Sequence, residues 1–206
     1  MGGSAGAEGD PRDAGVGGAS AAGAGGMLGS GGSGERPPGC PEPAPIPATG
    51  QTIVMQSLNI TTAQIVLRNA GSTTVSITLG RAGWQWCEFP RYWSLTDEDT
   101  ILDLAPGETF TFVAINNQSG QPQLVPEEGE MAIYNRIQAF DDFDAMEAFV
   151  AWGDVQAYRE SYAVQRGVWT YDERIEVAPG HAGFIATGET NRASGYTSVP
   201  ERCLVP

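Results

Sequence analysis

Apolar and polar positions alternate in short runs over residues 51–206 of this chain. In TVSITL, 74–79, Val75, Ile77 and Leu79 fall on one side and Thr74, Ser76 and Thr78 on the other. That is the period of a half-buried strand. TFTFVAI, 109–115, repeats the pattern with Phe110, Phe112 and Ala114. TIVMQSL (52–58), AQIVLR (63–68), ILDL (101–104), EMAIY (130–134), AFVAW (148–152), SYAVQ (161–165), RIEVA (174–178) and AGFIA (182–186) complete a series of predicted strands. NAGST (69–73), TDEDT (96–100), APGE (105–108) and NNQSGQP (116–122) read as turns and loops between them. No window carries a helical stripe; DDFDAMEAF, 141–149, has room for one helical turn. Short strands at this spacing predict an all-β, antiparallel sandwich or barrel. The pattern contains no fixed-period repeat.

Residues 1–50 break the pattern. They hold 16 of the 28 glycines and 7 of the 14 prolines, with few sizeable apolar side chains. Such a stretch has too little apolar surface to offset the entropy of ordering. It is expected to form a disordered Gly/Ala/Pro-rich tail, stiffened by prolines over 37–49. The folded domain is therefore expected to span 51–206, a usual size for one core. Residues 1–30 lack the basic start and apolar run of a signal peptide. The tail resembles the spacer that tethers bacterial surface lipoproteins, although GERPPG before Cys40 is not a lipidation signal. An extracytoplasmic location, secreted or as a cell-surface lipoprotein, is expected, with the cytoplasm as the alternative. Membrane attachment is expected only through a lipid anchor upstream of these residues.

The net charge is −14 and every basic residue is arginine. Over 51–206, nine arginines stand against 20 acids, about −11. A surface of that sign repels phosphates and argues against nucleic-acid binding.

GWQWCEFPRYW, 83–93, is the densest aromatic stretch. Gly83 suits a bend into a new strand. Strand alternation puts Trp84 and Trp86 on one face as core, with Cys87 opposite, on the outer face or near an edge. Arg91, Tyr92 and Trp93, after Pro90, are the candidates for ligand contact.

The run QIVLRNAGSTTVSITLGRAGWQW (64–86), followed by LDLAPGETFTFV (102–113), resembles the lamin-tail domain in its bacterial form. Asn69, Gly71, Val75, Gly83, Trp84, Leu104, Pro106, Gly107 and Phe112 occupy the marked positions. The opening IVMQSLNI departs from the family's usual first strand, and the likeness covers the first half of the domain. It implies an immunoglobulin-like β-sandwich and no reaction. Bacterial members are typically accessory or adhesive modules on secreted or envelope proteins.

Three cysteines, 40, 87 and 203, have no zinc-like spacing. A Cys87–Cys203 disulfide, tying the chain end to the sheet, is the favoured pairing; a bridge through Cys40 and unpaired thiols are the alternatives. His181, the single histidine, reads as a solvent-facing turn residue with no triad around it. Carboxylates cluster at Asp97–Asp99, at Glu127, Glu128 and Glu130, and at Asp141, Asp142, Asp144 and Glu147. No cofactor is expected. Calcium is the one ion considered, at Asp141, Asp142 and Asp144, whose spacing lacks the regularity of a loop site. Arg159 beside Glu160 reads as a structural salt bridge, with binding of a carboxylate partner as the alternative. The expected function is a non-catalytic accessory or adhesive module with a protein or glycan partner. The alternatives are a carbohydrate-binding module using Tyr92 and Trp93, with Trp169 as an addition, and a calcium-dependent adhesin or hydrolase accessory domain.

Overall fold

The computed structural model describes residues 36–88, 91–96, 99–114, 124–137, 139, 142–154 and 156–204, with the backbone alone at 91–93. Residues 1–35 of the expected 1–50 tail lie outside them.

The described chain is all-β apart from one short α-helix and three 3-10 turns. In order its strands are β1 (Ile53–Asn59), β2 (Gln64–Asn69), β3 (Val75–Thr78), β4 (Gln85–Glu88), β5 (Arg91–Ser94), β6 (Ile101–Leu104), β7 (Thr109–Val113), β8 (Glu128–Tyr134) and β9 (Met146–Gly153), then β10 (Gly183–Ala186) and β11 (Tyr196–Val199). Helix α1 (Glu160–Arg166) lies between β9 and β10. The strands form a five-stranded sheet β11-β10-β1-β2-β7, a four-stranded sheet β5-β4-β8-β9 and a pair β3-β6. All of these pairings are antiparallel. The orders β1-β2-β7 and β5-β4-β8-β9 correspond to the A-B-E and C′-C-F-G sheets of an immunoglobulin-type sandwich. Strands β10 and β11 extend the first sheet beyond its A position.

Burial follows register. Phe184, Leu58, Ile65 and Phe112 form one cross-strand row of the larger sheet, and Met55, Leu67 and Phe110 another. All are buried. Met55 and Leu58 are three apart yet share this face because a bulge at Gln56 absorbs the extra residue. In the smaller sheet, Trp86, Ile133 and Ala148 form one row, and Cys87, Ala132 and Phe149 the row of opposite facing. Both rows are buried. Rings of Phe149, Trp169, Tyr196, Phe184 and Trp152 then run in sequence with centroids 5.5–6.3 Å apart. They join β9 to β10 and β11.

Four expectations are overturned or refined by the structure. SYAVQ is helical: Ala163 is its buried face, and Gly167 at φ 81° ends it with an N–H to the carbonyls of Ala163 and Val164. RIEVA contributes a single parallel bridge, Ile175 to Trp152, rather than a strand. In DDFDAMEAF, the helical turn is a 3-10 turn at Phe143–Ala145, and the rest begins β9.

The fourth concerns residues 36–50, which are part of the domain. The N–H groups of Ala44 and Ile46 donate to Ala186 and Gly188 at 2.9 and 2.8 Å, and Thr190 N–H returns to the Ile46 carbonyl. The segment PEPAPIP places proline at every second position, so the missing N–H groups fall between the residues that pair. Gln51 adds a buried clamp. Its amide accepts from Thr190 Oγ1 at 2.8 Å and donates to the Glu147 carbonyl.

Candidate functional site

The disulfide joins Cys40 to Cys203, and Cys87 remains a buried thiol. The expected Cys87–Cys203 bridge is thus overturned. Alternation does set Cys87 opposite Trp86, but that face is covered as well. Cys87 lies in the interior with Phe149, out of reach of the terminal turn. Cys203 instead sits over the outside of the larger sheet in a small cluster with Ala182, Ile185, Val199 and Leu204, against which Cys40 packs. Arg36 reinforces the junction by donating to the Cys203 carbonyl at 3.1 Å.

Asn69 links three other motif residues of the first half, Gly71, Leu104 and Gly107. Fully buried, it donates to the carbonyls of Thr73 and Leu104 at 2.7 and 2.8 Å and accepts from Gly71 N–H at 2.9 Å. Its backbone pairs with Gly107 and Glu108. One side chain therefore knits the turn after β2 to the turn before β7. Gly107 adopts φ 83° in that second turn. Gly83 is fixed by space: a Cβ there would lie 2.2 Å from the Thr78 carbonyl oxygen. Trp84 and Trp86 are core, as the sequence predicts. A depression of about 430 Å3 lies between Pro43–Pro45, Arg68, the Asn69–Gly71 turn and Pro106–Gly107. The N–H groups of Ala44, Ala70, Gly71 and Gly107 around it are spent inside the fold.

Arg91, Tyr92 and Trp93 stand on β5, the terminal strand of the smaller sheet, opposite Glu88, Cys87 and Trp86 in register. Their side chains lie outside the described residues. Trp169, the additional stacking candidate, is core: it is buried and donates Nε1–H to the Glu173 carbonyl at 3.2 Å. Asp141, with Asp97 and Glu98, lies outside the described residues. Asp142 pairs with Arg136, which holds its carboxyl below the usual range, and caps the following turn through Asp144 N–H. Asp144 is exposed. Among the described residues, no group of three His, Cys, Asp or Glu side chains could hold a metal ion. His181 is half-buried, and its Nδ1 lies 2.9 Å from Ser198 Oγ, which also accepts from Ala178 N–H. The pair pins the turn to β11.

The polar network that sequence reasoning missed braces the connection from β9 to β10. Glu160 is buried and receives Arg174 at 2.6 Å and the N–H of Asp172 at 2.8 Å. Arg174 is therefore the ion-pair partner of Glu160. The backbone N–H of Arg159, the N-cap position of α1, donates at 3.1 Å to Glu130 on β8. A strand carboxylate thus caps a helix that lacks a cap of its own. Burial pushes the Glu130 carboxyl up to about 7, against the pull of the Arg159 N–H and charge. The Arg159 guanidinium lies over the Tyr162 ring at 5.7 Å. This braced connection presents Tyr158 and Tyr171 to solvent. Their exposure depends on tertiary packing and left no periodic signal.

In comparison with known proteins, the chain matches no protein-family model and no curated protein. Among the described residues, no helix is long and apolar enough to cross a membrane.

Proposed function

We propose that this protein is a non-catalytic, lamin-tail-like interaction module that works outside the cytoplasm on the tether formed by its N-terminal residues. The observation that carries this reading is the Cys40–Cys203 disulfide at the base of the tether. Structural disulfides form and persist in oxidising compartments. This one binds the segment by which the chain enters the sandwich to the turn at Glu201–Cys203, with the ladder at Ala44 and Ile46 beside it. Force on the tether would meet the bridge before it reached the strands. The lamin-tail likeness draws support from Asn69, which ties the motif positions Gly71, Leu104 and Gly107 together, and from the A-B-E and C′-C-F-G strand orders.

The test is thiol trapping in intact source cells, followed by fractionation. The reading expects the protein in the extracytoplasmic fraction with one alkylatable cysteine, Cys87, reached only after unfolding. Recovery from the cytoplasm with three reduced thiols would overturn it.

A further inference from the structure

Tyr171 is 71% exposed and Tyr158 is 55% exposed, in a domain that buries Trp84, Trp86, Trp152 and Trp169. The hydrogen bond from Asp172 N–H to Glu160 joins the two chain segments that carry these tyrosines. Asp172 takes φ 61°, a left-handed conformation uncommon for a residue with a side chain. The buried Glu160–Arg174 pair holds the backbone there. The tip is therefore ordered before any partner arrives, which lowers the entropic cost of binding.

The charge around these rings is negative. Residues 154–178 carry five acids and three arginines, one of them held by Glu160. Asp154, Asp172 and Glu176 are exposed. Exposed Glu128 lies alongside, because it pairs with Gly153, whose N–H donates to the Ile175 carbonyl.

We propose that this face, Tyr158 and Tyr171 with Asp154, Asp172 and Glu176, docks an arginine- or lysine-bearing segment of a protein partner. The inference rests on the interaction-module reading and supplies its partner chemistry. A guanidinium or ammonium group is attracted to the face of a tyrosine ring. Neighbouring carboxylates fix its register, and the net charge of −14 steers it inward. Tyrosine is also enriched among the residues that dominate interface energetics.

The experiment titrates the full chain into a dye-labelled Gly-Arg-Gly-Arg-Gly-Arg peptide at physiological salt, read by fluorescence anisotropy. Saturable binding is expected. The Tyr158→Ala/Tyr171→Ala double variant changes no charge and truncates two exposed rings; a circular-dichroism melt checks its fold. It should bind about tenfold more weakly, and the Tyr→Phe double variant should retain affinity. Absence of saturable binding would overturn the proposal. So would equal binding by the alanine variant, which would reduce the effect to net charge, or binding of neutral oligosaccharides in place of the peptide. A cell-surface partner cross-linked equally well by the alanine variant would overturn this face and leave the interaction-module reading standing.

Discussion

Reduction of the Cys40–Cys203 bridge is the perturbation with the largest expected effect. The two cysteines are 163 residues apart. The chain-entropy relation for a loop of that length gives up to about 5 kcal/mol of stabilisation through the unfolded state. Part of the native contact survives reduction, because the hydrogen bonds of Ala44 and Ile46 do not involve sulfur. For a domain of this size, 1 kcal/mol shifts the melting temperature by roughly 2–4 °C. The expected loss is therefore about 10–20 °C. Thermal unfolding followed by tryptophan fluorescence, with and without reductant, measures it directly. The Cys40→Ala/Cys203→Ala variant should melt at the reduced temperature and show no further response to reductant. Cys87→Ala should keep the full reductant response, on top of a smaller loss from the core cavity. A melt insensitive to reductant, or a Cys87→Ala variant that loses the response, would refute the assigned pairing.

Further outcomes follow from single buried groups. Glu130 has a folded value of about 7 against an ordinary 4.5, so the folded state binds its proton more tightly. Its contribution is full below pH 4.5, is lost as pH rises through 7 and amounts to about 3 kcal/mol in all. Glu130→Gln should flatten that part of the pH profile and raise stability at pH 8 relative to pH 4.5, as read from urea midpoints across pH; an unchanged profile would refute the burial argument. Asn69→Ala removes three hydrogen bonds and strands the Leu104 carbonyl, for an expected loss of about 3 kcal/mol in urea unfolding. Asn69→Asp should cost at least as much, because its carboxylate would face two carbonyl oxygens. Gly83→Ala forces a Cβ against the Thr78 carbonyl and should cost about 1–3 kcal/mol by the same measurement.

The strands that were legible in the sequence are those whose pattern is decided by one face. In β3 and β7, alternation has period two, and the register places Phe110 and Phe112 where the pattern puts them. Helix α1 was not legible by that route because seven residues cannot display a stripe. Its end signals are nevertheless present: Glu160 in the first turn, Arg166 in the last and Gly167 after it. The segment at 36–50 was hidden by composition. Proline content reads as linker, but what matters is the spacing of prolines, which leaves the N–H groups of Ala44 and Ile46 for an edge.

Cys87 and the tyrosines mark a different limit. Alternation tells which face a side chain takes and is silent on what covers that face. Alternation sets Cys87 opposite Trp86, and the register agrees, yet Ala132 and Phe149 make that side interior too. The same silence works in reverse for Trp169, a stacking candidate by sequence that burial against the Phe149 and Tyr196 rings turns into core. It works again for Tyr158 and Tyr171, whose exposure no alternation signals. What separates these cases is the chain between β9 and β10. A segment outside the repeating strand pattern covers one part of the sandwich and uses Glu130, Glu160 and Arg174 to hold its own backbone in place. Buried charges are costly unless each is partnered. Their concentration under one connection fixes a surface rather than a core, and that connection presents the two exposed rings.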